Sequence, residues 1–192
     1  MIQEFKNIVS SFSFLSGKDV AVLWNLCSVI TVDKGQTLVS AGEMDYNMYY
    51  IVSGFARVYV DCEDGEERTV YLAGPGMIVG SSKTGLGDME GNENTVVLKN
   101  AMLLRFDFQK FREAAIKHPN LYRLQAEFLT KSLIETIERL EFHTVFSPEQ
   151  RYQYLVDKRQ DILQNVPLKH IASYIGITPV SLSRLRSRMH SR

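Results

Sequence analysis

The segment from Arg184 to Arg192, RLRSRMHSR, holds four arginines and no acid. A guanidinium is always charged, and its planar donors match phosphate oxygens or the O6/N7 edge of guanine. If Leu182, Leu185 and Met189 turn inward on a helix, Val180, Ser181, Arg184 and Arg188 share the opposite face at steps of three and four. Such a face can enter a major groove, where a bidentate arginine–guanine pair gives roughly 1–3 kcal/mol of discrimination. Arg184 is the candidate base reader. Ser181 and Ser183 suit phosphate or base edges, and Val180 suits a thymine methyl. Arg186, Arg188 and Arg192, helped by Lys169 and His190, are expected to attract phosphates, which positions without specifying.

The preceding residues predict how that helix is held. Counting from Leu168, a twenty-residue helix-turn-helix places Ile171, Ile175, Ile177, Leu182 and Leu185 on the buried face. Ala172 falls where two helices cross closely, and Gly176 falls at the turn, where positive φ is wanted. Thr178 is the expected cap of the second helix and Pro179 its first residue.

Charge follows the same division. After Asp161 come five basic residues and no acid, against seventeen basic and twenty-two acidic residues up to that point. A basic end on an acidic body suggests a polyanion partner for that end, the alternative being a solvated charged terminus. With 45% hydrophobic and 23% charged residues the chain should fold throughout. The apolar stretch Ala21 to Val32 is broken by Asn25 and Ser28 and is shorter than the roughly 20 residues that span a bilayer. It reads as core. Glu4 precedes any apolar run and no signal-cleavage pattern follows, so a cytoplasmic protein is expected. Cys27 and Cys62 form no C-x-x-C pair, and no metal site or cofactor is expected.

From Ser28 to Asp107 the texture is β. Short runs (VITV, TLVS, YYIV, FARVYV, RTVYLA, TVVL, MLLRF) are separated by glycine and polar clusters, with Asp64-Gly65 at a hairpin tip. About eight closely spaced strands imply a roll or barrel. A long helix is expected over 120–146. Tyr122, Ala126, Leu129, Leu133, Thr136 and Leu140 alternate by four and three along it, the seam of a coiled-coil pair, and Leu121, Phe128 and Ile137 widen its apolar face. The seam can meet a second copy while the flank covers the roll, or the helix can pack within its own subunit. Ser147-Pro148-Glu149-Gln150 then reads as a capped helix start. The fold class expected is α+β, in three parts: a β-roll sensor with flanking helices (1–119), a dimerisation helix (120–146) and a helix-turn-helix domain (147–192).

This order resembles the Crp/Fnr superfamily of bacterial transcription regulators, its short-tailed members from the Bacteroidetes in particular. KGQTLVSAGEMDYNMYYIVSGFARVYV (34–60) is similar to the family's cyclic-nucleotide-binding roll, and PLKHIASYIGITPVSLSRLR (167–186) to its reading head. The resemblance implies a sequence-specific, homodimeric regulator rather than an enzyme. Its implied partners are double-stranded DNA, a second copy, a small-molecule effector and RNA polymerase. It also implies an effector site around Val79, Gly80, Ser81, Ser82, Lys83, Asn94 and Thr95. Two departures bear on that. Ser81 stands where ligand-binding members carry glutamate, and no basic residue lies between Gly91 and Val96 where they carry the phosphate-gripping arginine. A buried phosphate there would lack charge-assisted bonds worth about 1.5–3 kcal/mol each, so cyclic AMP is not the expected effector. The β-wing that follows the reading head in longer relatives is also missing, which implies weaker or more salt-sensitive binding. Two other functions stand beside this one: a ligand-sensing or scaffold protein of the same fold without DNA binding, and a cupin-like enzyme. The enzyme would need histidines on the strands, whereas His118, His143, His170 and His190 all lie outside the roll.

Overall fold

The computed structural model describes residues 2–190. Two helices lead in, α1 (Ile2–Ser10) and α2 (Gly17–Leu26). Ser16 caps α2 in a capping box with Asp19, and Asp19 also accepts from Asn120 Nδ2 at 2.8 Å, tying α2 to the start of the long helix. The Asn120 and Ser16 bonds hold the Asp19 carboxyl down at about 2. The apolar stretch read as one core segment is split: the helix ends at Leu26 and strand begins at Cys27, with no glycine or proline between them.

The roll is built from β1 (Cys27–Val32), β2 (Thr37–Val39), β3 (Asn47–Asp61), β4 (Glu67–Ala73), β5 (Ile78–Gly80) and β6 (Asn94–Asp107), with the short helix α3 (Ser82–Gly87) between the last two. The order is β1-β6-β3-β4, β2 pairing with β6 and β5 with β3, and every pairing is antiparallel. Six strands therefore stand where about eight were expected. YYIV and FARVYV are one strand bent at Gly54, and TVVL and MLLRF are one strand paired with it along its length. Gly54 has φ +97°, and a Cβ on it would lie 2.6 Å from Ala101 Cα, so the bend brings two backbones closer than any side chain allows. The register slips on both sides of it, which is why one strand reads as two.

Val39, Tyr49, Ile51, Ala56, Ala73, Val79, Val97, Ala101 and Leu103 fill the interior of the roll. Each fully buried leucine or isoleucine there contributes roughly 1.5–3 kcal/mol. Beyond the roll run α4 (Phe108–Lys117), α5 (Pro119–Thr144), α6 (Pro148–Lys158), α7 (Gln160–Asn165), α8 (Leu168–Ile175) and α9 (Pro179–His190). The long helix thus begins one residue before the expected segment and ends two before its end. Ser147 and Gln150 form the expected capping box of α6. Among the described residues no helix is long and apolar enough to cross a membrane.

Candidate nucleic-acid interface and its supports

Helices α8 and α9 meet at Gly176, which has φ +76° and ends α8 in the left-handed region. Its successor closes the turn, Ile177 N donating to Ala172 O at 3.0 Å. Thr178 Oγ1 accepts from Ser181 N at 3.1 Å and caps α9. Ile171, Ala172, Ile175, Leu182 and Leu185 are buried, with Ile177 and Met189 packed partly against them. What remains outward includes the face read from spacing: Val180, Ser181, Arg184 and Arg188 are exposed, as is Ser183 beside them, and Arg186 is half-buried.

The members of that face differ in what else they touch. Among the described residues no acid pairs with Arg184. Arg188 Nη2 lies 3.0 Å from Glu149 Oε1 on α6, both side chains well exposed. An exposed pair of that kind is worth about 0–1 kcal/mol, too little to hold Arg188 from a phosphate. Ser181 Oγ accepts from Thr178 Oγ1 at 3.0 Å, so this hydroxyl belongs partly to the cap. Lys169 is exposed; Arg192 and the side chain of His190 lie outside the described residues.

The helix pair does not hang from the chain by a linker. Its core is continuous with Phe55, Leu72 and Leu98 on the outside of the roll and with Phe142, Tyr152, Leu155 and Ile162. Strand β4 meets α8 through polar groups: Thr69 N donates to Ser173 Oγ at 3.0 Å, and Ser173 Oγ donates to Glu67 O at 3.4 Å. Arg57, buried beside this edge, donates from Nε to Thr69 Oγ1 at 2.8 Å, pairs with Glu67 and stacks on Tyr59 at 4.4 Å.

His170, half-buried in the same patch, is pushed down to about 4, first by burial and then by the charges of Arg57 and Lys169, with Glu67 opposing them weakly. The docked arrangement therefore favours neutral imidazole. Its stability contribution is complete above pH about 6.5 and declines as the pH falls toward 4, because the unfolded chain binds the proton first. Melting temperature should fall across that window in the wild type and fall less in His170→Gln. Equal slopes in the two would remove His170 from the acid response.

The seam on α5 is open in the single chain. Tyr122, Ala126, Leu129, Leu133, Thr136 and Leu140 are all exposed, Leu133 by 61% and Leu140 by 63%. Of the three flanking residues, Leu121 is fully buried and Phe128 packs on Phe12 at 5.7 Å, but Ile137 is 49% exposed and does not cover the roll. Beyond Leu129 the guanidinium of Arg139 stacks on Tyr71 of the roll at 4.4 Å, and Phe142 joins the core shared with Phe55 and Leu72. Leu124, buried on the same flank, was not singled out from spacing.

The seven residues of the expected effector site do not converge on one hollow. Val79 is part of the packed roll interior. Ser81 and Thr95 are buried, Ser81 Oγ donating to Glu93 Oε1 at 3.1 Å. Glu93 Oε2 also accepts from Asn92 N at 3.0 Å, so a carboxylate is held at Ser81, on the segment where the family's ligand-binding members place a cation. Lys83 turns to Asn92 at 2.6 Å and is exposed, while Asn94 bridges Ala41 N and Asp61. Gly80 and Ser82 face a different cavity, between the helices outside the roll.

The cyclic nucleotide-binding domain family matches residues 29–118. The chain is 27% identical over 169 residues to the anaerobic regulatory protein of Aggregatibacter actinomycetemcomitans and 23% over 168 residues to the fumarate and nitrate reduction regulatory protein of Salmonella typhi, in each case over 82% of this chain. It spans 65% and 66% of the length of those curated relatives. Its fold is shared with FixK2 from Bradyrhizobium japonicum (TM-score 0.73, 16% identity, 86% of this chain and 85% of that one). The c-di-GMP responsive global regulator CLP from Xanthomonas campestris shares it too (TM-score 0.69, 12% identity, 92% of each chain). Residues 29–118 thus match a roll of the cyclic nucleotide-binding type, and the long helix along it and the helix-turn-helix docked beyond complete the fold that the chain shares with FixK2 and CLP.

Proposed function

We propose that this chain is a homodimeric, sequence-specific DNA-binding transcription regulator. The observation that carries the reading is the outer face of α9, where Arg184 stands exposed between Val180, Ser181 and Arg188 on a helix capped and buried on its other side. Arg184 and Val180 read base edges; Ser183, Arg186 and Arg188 set register on the phosphates, and Ser181 divides itself between cap and DNA. Two copies joined along α5 through Tyr122, Ala126, Leu129, Leu133, Thr136 and Leu140 would present two reading heads to half-sites about one DNA turn apart. The working division is sensor (1–119), dimer helix (120–146) and reading head (147–192). RNA polymerase and a small-molecule effector complete the set of partners. Cyclic AMP does not suit the role, since the Glu93 carboxylate would meet its phosphate.

The test is mobility shift on a site selected by the wild-type chain from random DNA. Arg184→Ala should bind that site about 5- to 150-fold more weakly, with nonspecific affinity nearly unchanged. Failure to select any sequence, or equal binding by Arg184→Ala, would defeat the reading.

A further inference from the structure

Outside the roll, a cavity of about 220 Å³ lies between α1, α2, α4 and α5, closed on its inner side by β5, the start of α3 and the outer faces of β3 and β6. We infer that this cavity binds a small, uncharged, hydrophobic molecule of about eight carbon atoms. The effector role assigned to that molecule below rests on the regulator reading; the binding itself does not.

Lining chemistry limits what the cavity can take. Ile8, Phe111, Leu124 and Phe128, with Phe12 from the connection between α1 and α2, make its walls, and all of them also serve the core behind it. The charged side chains on its lining are Lys131 and Glu135, and these face each other, Nζ to Oε1 at 3.9 Å. A carboxylate or phosphate entering here would lose its hydration among apolar walls whose net charge is zero, the one cation, Lys131, being largely exposed and beside the Glu135 carboxylate. A hydroxyl is different, because Ser132 and Ser82 stand at the lining and can exchange hydrogen bonds with it. Cys27 adds no nucleophile: burial pushes its thiol up to about 11, so it stays protonated. As for size, a designed apolar cavity of about 150 Å³ takes up benzene, so one of 220 Å³ has room for a longer aliphatic or a larger ring. By contrast the roll interior is occupied by its own side chains.

Position gives the cavity its reach. Gly85 and Ser82 bring α3 to one wall, and Leu129, a residue of the open α5 seam, comes to another. A molecule seated there touches the helix that follows Ser81 and the helix through which two copies would join, so filling the site can bias how α5 lies. Phe5, also on the lining, meets the edge of Trp24 with ring centroids 5.0 Å apart. Trp24 is the sole tryptophan of the chain and reports on the site through Phe5.

The experiment titrates the full chain with primary alcohols from butanol to dodecanol and follows Trp24 emission. A saturable change is expected, tightening about fourfold per methylene up to about octanol and then levelling. Octanoate, equal in length but charged, should bind at least tenfold more weakly than octanol, and cyclic AMP should leave the octanol curve unmoved. Phe128→Ala, which enlarges the cavity, should carry the levelling point to longer alcohols. Ile8→Trp should shorten it; should that variant lose its cooperative melt, Phe128→Ala decides. Equal or tighter octanoate binding, gain that continues without a stop, displacement by cyclic AMP, or an unmoved levelling point in Phe128→Ala would each overturn the site. No DNA is present, so the outcome is independent of whether α9 binds DNA. Adding the selected DNA then tests the effector role by itself: octanol should change DNA affinity at least fivefold, and unchanged affinity would cancel that role while the alcohol site stood.

Discussion

Leu133→Asp combined with Leu140→Asp should convert the proposed dimer to monomer and weaken binding to a two-half-site operator by roughly 10²–10⁴-fold. The two leucines are more than half exposed in the single chain, so the aspartates disturb little there and the monomer should melt near the wild-type temperature. In the proposed pair they would face their counterparts across a coiled-coil seam, where burial of each leucine contributes roughly 1.5–3 kcal/mol and four aspartates would repel. The large effect on DNA comes from linkage. When one reading head is bound, the second meets its half-site at an effective concentration near millimolar, and a monomer forfeits that term without losing any contact of its own. Sedimentation equilibrium gives the oligomeric state, and mobility shift on full and half operators gives the rest. A double variant that stays dimeric would move the interface elsewhere. One that becomes monomeric and still binds the full operator as tightly as wild type would remove dimerisation from the reading mechanism.

That prediction uses what was legible in the sequence. Helix faces are local properties: with a period of 3.6 residues, the burial of Leu182 and Leu185 fixes Arg184 and Arg188 outward, and the α8–α9 unit follows from Gly176, Thr178 and Pro179 alone. The exposed row on α5 was legible for the same reason. Strand count was not, because the bend at Gly54 depends on how close Ala101 of another strand comes, which no window around Gly54 contains. The effector site was carried over from the family, and here its residues part company: glycine and serine of the approach to α3 look outward to the helices, while Ser81 is taken up by Glu93. The outer cavity draws its walls from elements more than a hundred residues apart, each apolar for ordinary core reasons, so no spacing rule reveals it.

Arg151 is the residue that spacing concealed most fully, and Arg151→Met should cost about 3 kcal/mol of stability and loosen the reading head from the long helix. Its guanidinium donates to three carbonyls: Nε to Phe142 at 3.0 Å, Nη2 to His143 at 2.6 Å and Nη1 to Ile175 at 3.0 Å. The first two belong to the last turn of α5, and the third is the last residue of α8. Helix C-termini expose carbonyls that lack intrahelical donors and carry the negative end of the dipole, so one cation satisfies two helix ends at once. Methionine keeps most of the stem and its packing but none of the donors, leaving partly buried carbonyls without them. The same clasp ties the end of α5 to the end of α8, so a movement of α5 would be passed through it to α8 and thence to the arginines on α9. Two changes are therefore expected together. Denaturant midpoint falls, and any change in DNA affinity caused by a ligand in the outer cavity shrinks, although Arg151 lines neither that cavity nor the outer face of α9. Arg151→Lys, which can supply at most one or two of the three bonds from a single nitrogen, should lie between wild type and methionine on both measures. If stability fell while the ligand effect on DNA persisted undiminished, Arg151 would be a brace for the fold, and the signal would have to pass through the Phe55–Leu72–Ile171 core instead.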